Sequence, residues 1–255
     1  MNNFFLGCLW LLATSLAIVG KNVAAKKTAF QHYNADSCTA LNALNIKVRD
    51  GLIKKQDAPS LFKTLLLQTK AAYYKNGGKD YPKKDWVFPL QGYNAKATGG
   101  INGNGYSAAG YDFFDGNRHK GHPAYDIFIH DKNQDGTDDN TKKPVNVVSI
   151  TGGMVIAIEK DWDTASSLRG GKYILVYDPA TASLTYYAHN AKLHVGLCSL
   201  VKPGDLIAEV GRTGFNAFKK RSPTHLHVMQ LALDTNNYPR PVAFYKELNG
   251  MKSLK

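Results

Sequence analysis

The chain reads as mainly β, with an antiparallel, sandwich-like sheet core behind an N-terminal helical hairpin, α+β overall. Three observations predict this. From Tyr125 onward, short β-branched or alternating runs follow one another, separated by Gly, Pro, Asn and Asp. Between Asp36 and Lys75 the apolar residues recur instead at helical spacing. The roughly 130 residues after Tyr125 are ample for one hydrophobic core.

The first stretch, from Phe4 to Val19, is an apolar run of signal-peptide length, and Val23-Ala24-Ala25 supplies small residues for cleavage after Ala25. Residues 1–25 are therefore read as a signal peptide, although no Lys or Arg precedes the run, with an uncleaved anchor as the alternative because the run is near the lower length limit for a span. No other run is long or apolar enough to span a membrane. The protein is expected to be exported, and so periplasmic, envelope-associated or secreted.

Residues 26–85 form the helical segment. After an Asp36-Ser37 start, Leu41, Leu44 and Val48 mark one amphipathic run; Gly51 and Asp57-Ala58-Pro59-Ser60 interrupt it; Leu61, Phe62, Leu65, Leu66 and Tyr73 mark a second. No cluster of catalytic residue types lies here, so packing against the following domain is its expected role. Residues 86–255 form the β-rich domain. Its opening, around Gly99-Gly100-Ile101-Asn102-Gly103-Asn104-Gly105, is a surface loop, since no Gly-Lys-Ser/Thr ending supports phosphate binding. Strands are predicted over 125–129, 145–150, 153–159, 172–177, 184–189, 206–210 and 226–233, and a short helix over 241–248.

The formal charge is +12, and loss of residues 1–25 removes one lysine and no acid, leaving +11. Such a field favours anionic partners. Export and the scattering of the lysines favour an envelope polymer over nucleic acid. Cys38 and Cys198 remain after cleavage, and an oxidising compartment allows them either to pair or to stay apart.

His225 and His227 lie two apart in an apolar run that reads as a strand, so both imidazoles face one side. A hundred residues upstream, His122 and Asp126 are four apart and share a face of an extended segment. Two imidazoles and one carboxylate form a three-ligand set for catalytic Zn²⁺ with a fourth position open. The acidic turn after this strand carries Asp131, Asn133 and Asp135 at alternate positions with Gly136 at the sixth, like the first half of a calcium loop. Its twelfth position is Lys142, which excludes a full EF-hand.

The order His122-x-x-x-Asp126, Tyr186-Tyr187-Ala188-His189, Val201-Lys202-Pro203-Gly204-Asp205, Gly211-Arg212-Thr213-Gly214 and His225-Leu226-His227 resembles the lysostaphin/LytM-type zinc metallopeptidases over about residues 120–233. The resemblance implies a β-sheet core crossed by a groove, zinc held by His122, Asp126 and His227, catalytic roles for His189 and His225, and the peptide of bacterial peptidoglycan as substrate. The chain departs from the family in the insertion 131–139 and in Arg221-Ser222-Pro223-Thr224, where Thr-Gly-Pro is common. His119 is the credible spare ligand, while His32, His130 and His194 read as surface or structural residues. The expected function is an exported zinc endopeptidase; its rival is a non-catalytic wall-binding regulator of another hydrolase.

Overall fold

A computed structural model describes residues 37–255, so the leader expected over 1–25 and His32 lie outside the described residues. The hairpin is present as α1 (Ser37–Arg49) and α2 (Ala58–Lys75), with the start of α2 marked by Pro59 in its first turn. Nine strands follow in one antiparallel sheet: β1 (Tyr125–Phe128), β2 (Asn146–Val148), β3 (Gly153–Glu159), β4 (Lys172–Asp178), β5 (Ser183–Leu193), β6 (Leu200–Val201), β7 (Leu206–Val210), β8 (His225–Leu233) and β9 (Pro239–Pro241). A short helix, α3 (Tyr245–Gly250), closes the chain. No helix among the described residues is long and apolar enough to cross a membrane.

The main path of the sheet runs β1-β8-β5-β4-β3-β6, with β9 on the far side of β8 and a β2-β7 pair attached through β5. Alternation gives each central strand two apolar faces. One face, with Met154, Ile156, Tyr173, Leu175, Leu184, Met229 and Leu231, packs with Leu41, Leu44, Val48, Phe62, Leu65 and Leu66 of the hairpin. The other, with Val155, Ile174, Val176, Tyr187, Leu226 and Val228, packs with β2 and β7, with Trp86, Phe88 and Leu90, and with Phe244 and Leu248 at the C-terminal end. The hairpin is thus one layer of the core.

Two sequence expectations are corrected. The helix expected over 241–248 begins instead at Tyr245, because Pro241 ends the edge strand 239–241, where prolines at both ends are tolerated since an edge leaves ladder positions open. The two-residue β6 is too short to show a period. Cys38, at the start of α1, is disulfide-bonded to Cys198, which ties the hairpin to the turn before β6.

β5 carries the feature that shapes the site. Its pairing with β4 shifts register between Tyr187 and Asn190, and beyond that break it pairs with β7. His189 sits at the break with φ 67°, the left-handed region that a β-substituted residue rarely occupies.

Candidate active site

Asp126 of β1 stands opposite His227 of β8, and Ala188 of β5 stands opposite His227 on its other side. Period two places Asp126, His225 and His227 on the hairpin-covered face, beyond the end of α1. Ala188, fully buried, occupies the position beside His227 with only a methyl group. His122 lies before β1 in an isolated antiparallel bridge with Ser107, fixed by reciprocal backbone bonds of 2.7 and 2.8 Å. The five predicted positions meet here: His122, Asp126, His189, His225 and His227 line one cavity of about 300 Å³.

Asp126 Oδ1 is the centre of the set, 2.9 Å from His227 Nδ1, 3.3 Å from His122 Nε2 and 3.7 Å from His225 Nε2. One donor atom from each of His122, Asp126 and His227 lies within 4.8 Å of the others. Among the described residues no other grouping of three His, Cys, Asp or Glu side chains has this property. Three half-buried N/O donors beside an open cavity fit a catalytic metal with a free coordination position, whereas a structural zinc site closes with four ligands.

Backbone carbonyls set the tautomers. A carbonyl accepts only from N–H, so His122 Nδ1 donates to Gly105 O at 3.1 Å, His189 Nδ1 to Thr213 O at 2.8 Å and His225 Nδ1 to Pro223 O at 2.7 Å. In its neutral form each of these three rings keeps its lone pair on Nε2. His122 thereby points a ligand nitrogen at Asp126 and keeps it there, the usual arrangement of a metal-binding imidazole. The rings of His189 and His225 are edge-to-face at 4.9 Å between centroids, and His189 is 5.4 Å from His227.

Charge follows from this crowding. Burial would raise the Asp126 pKa, but hydrogen bonds from His122, in its protonated form, and from His227 outweigh it and hold the carboxyl far below the usual carboxylate range. The bond to Asp126 raises His122 against the opposing effect of burial. Burial lowers His227 despite the same carboxylate, and burial with the neighbouring His225 and His227 pushes His189 well below the ordinary histidine value. A neutral imidazole and an ionised carboxylate are the forms a metal requires.

His119 faces the cavity but bonds to Lys120 O and packs on Tyr111, and its nitrogen is not part of the donor grouping. His130 bonds Asn140, and His194 bonds Glu209. The calcium expectation for Asp131, Asn133 and Asp135 finds no support. Asp131 is buried and accepts from Asp135 N at 3.1 Å, Gly136 N at 2.9 Å and Thr224 Oγ1 at 2.7 Å; Asn133 donates to Asp135, which also accepts from Thr137. The turn satisfies its own carboxylates, and its anchor on Thr224 secures the approach to His225. Arg212 holds the same approach from the other side through Ser222 O, Thr224 Oγ1 and Lys219 O.

Sequence reasoning missed the far wall of the cavity: Asn45, Val48 and Arg49 from α1, with Arg169 from the loop between β3 and β4. These come from separate parts of the chain and share no spacing that a linear reading could detect.

No curated protein matches the chain. Among solved structures it is similar to a LytM-named protein of Ruminococcus gnavus, at 21% identity over 77% of this chain and 75% of that one, with a TM-score of 0.46. It is also similar to the antimicrobial peptidase lysostaphin of Staphylococcus simulans, at 20% identity over 66% of this chain and 54% of that one, TM-score 0.41. A zinc-containing peptidase of Vibrio cholerae is 22% identical over 65% of this chain, TM-score 0.37, and the chain spans 39% of that protein's length. The family model described as Peptidase family M23 matches residues 132–237, a span that holds His189, His225 and His227 and begins just past His122 and Asp126. Over residues 132–237 the chain is thus similar to peptidase family M23.

Proposed function

We propose that the protein is an exported zinc metalloendopeptidase that hydrolyses peptide bonds in bacterial peptidoglycan. His122, Asp126 and His227 hold the metal, and His189 and His225 move protons. The observation that carries this reading is the convergence of the three donor atoms within 4.8 Å beside two further imidazoles lining the same cavity. Bound Zn²⁺ supplies Lewis acidity toward an amide carbonyl and toward water. Residues 86–255 then form the catalytic domain, residues 26–85 its helical accessory and residues 1–25 a removed leader. The Cys38–Cys198 disulfide supports export, because such bonds persist in oxidising compartments.

The chain's own contribution is proton handling at two atoms. Nε2 of His189 and Nε2 of His225 carry lone pairs in the resting site, because both Nδ1–H groups are spent on carbonyls. Either can accept the proton that water loses as it adds to the carbonyl, and the resulting N–H can serve the leaving amine nitrogen. The Thr213 and Pro223 carbonyls stabilise the imidazolium that forms in between.

The test separates metal content from turnover. Asp126→Ala and His227→Ala should lose zinc and activity together, whereas His189→Ala and His225→Ala should retain zinc and lose turnover by on the order of a hundredfold or more. Digestion of purified muropeptides, followed by mass analysis of the products, supplies the rate and identifies the bond. Zinc-loaded protein that binds wall fragments but cleaves no peptide at any pH overturns the reading in favour of the wall-binding regulator.

A further inference from the structure

We infer that Arg169 is a substrate-specificity residue that binds a carboxylate of the peptide beside the bond to be cut; this rests on the peptidase reading of the site. Arg169 belongs to the loop between β3 and β4 and lines the cavity with the five site residues. Its backbone N–H is held by Asn117 Oδ1 at 3.0 Å, and Nη1 donates to His119 O at 2.7 Å. The guanidinium is therefore braced against the loop carrying His119, and most of its donor fork remains unspent. Among the described residues it forms no ion pair.

The other charges of the cavity strengthen the case. Asp126 is the only acid among the lining residues, and its oxygen is taken by His122 and His227. Arg49, the other cation of the wall, is already paired with Glu159 at 2.6 Å and with Asp50 at 2.7 Å. Arg169 alone presents a half-buried positive charge without a partner, next to Leu168, Tyr173 and Tyr186. A partly desolvated guanidinium is matched best by a planar anion that takes two parallel N–H bonds, which a carboxylate provides. Asn45, Val48 and Arg49 of α1 close the cavity on this side. A substrate lying across the metal ligands therefore places its next residues between the α1 wall and Arg169.

Two sources of carboxylate meet this chemistry, a free peptide C-terminus and an acidic side chain. Paired wall peptides distinguish them, one pair differing only in C-terminal acid against amide and the other only in side-chain acid against amide. With zinc-loaded full-length mature protein, one pair should show KM lower for the acid by roughly tenfold to hundredfold, with kcat little changed. Arg169→Gln should abolish that discrimination and Arg169→Lys should restore part of it. Arg169→Gln that still discriminates, or wild type that treats both members of both pairs alike, overturns the inference. Calorimetric binding of the same peptides to zinc-loaded His225→Ala supplies a readout independent of turnover. Acid-selective binding lost in the His225→Ala/Arg169→Gln double variant supports the role of Arg169 even where no peptide is cleaved, and unselective binding overturns it.

Discussion

Gly214 controls where His189 can sit. It adopts φ +111°, and a Cβ there would lie 2.8 Å from His189 Nδ1 and 2.4 Å from Arg169 O. Only the bare backbone lets Thr213 offer its carbonyl to the ring while His189 holds its own left-handed conformation. Gly214→Ala should therefore displace the imidazole, leave zinc content unchanged and lower kcat by on the order of a hundredfold, the scale of a misplaced catalytic group. Metal analysis beside single-turnover kinetics checks it, and loss of zinc would place the damage elsewhere. Asp131 gives a second test at this scale. Asp131→Ala leaves Thr224 Oγ1 and two backbone donors without their acceptor, which should cost about 1–3 kcal/mol in chemical denaturation. Added calcium should not move the wild-type melting temperature.

The loop over 111–119 depends on the hairpin. Phe113 and Phe114 pack on Phe62 of α2 with centroids 5.5 and 5.7 Å apart, and Asp112 accepts from Lys55 at 2.9 Å and from Tyr238 at 2.7 Å. Partial burial raises the Asp112 pKa, but the bonds from Lys55, Tyr238 and Phe114 N outweigh it, so the folded value lies below the ordinary one. A depressed carboxylate contributes stability that is present above its unfolded pKa of about 4 and is lost as pH falls through the folded value. Amide exchange over 113–118 should consequently accelerate below about pH 4 relative to the rest of the chain, and Asp112→Asn should remove that acid step. How legible the elements were depends on the same local physics. β3 and β7 were predicted to the residue because each is a short apolar run bounded by turn residues, Gly152 before β3 and Pro203-Gly204-Asp205 and Gly211 around β7. β5 was predicted only as far as His189, where the register break ends the alternation although the strand continues to Leu193. The residues gathered at the site were legible because strand period and motif order name them. Arg169 and the α1 wall were not, since their proximity arises from packing across the sheet face.

At the scale of the whole molecule, the hairpin could be either a removable restraint on the site or part of the fold, and its packing decides. Leu41, Leu44, Val48, Phe62, Leu65, Leu66 and Tyr73 are each at most 5% exposed against the sheet. Uncovering such side chains costs roughly 1.5–3 kcal/mol apiece, so losing the set costs as much as the 5–15 kcal/mol by which a domain is typically stable. Arg49 adds a bond to Glu159 of β3 at the rim of the cavity, and Gly116 packs so closely on α1 that a Cβ would lie 2.2 Å from Val48 O. The Cys38–Cys198 bond closes a separation of 160 residues. Deleting the residues before Asn76 should therefore give an unfolded or aggregating chain, with no gain in turnover. Reducing the disulfide should act more mildly, lowering stability by about 2–5 kcal/mol while the proposed zinc ligands, on β1 and β8 at the other end of the sheet path from β6 and in the segment before β1, keep their places. Denaturation with and without reductant, read beside zinc content, tests this. A soluble truncated core with wild-type or higher activity would make the hairpin a restraint instead.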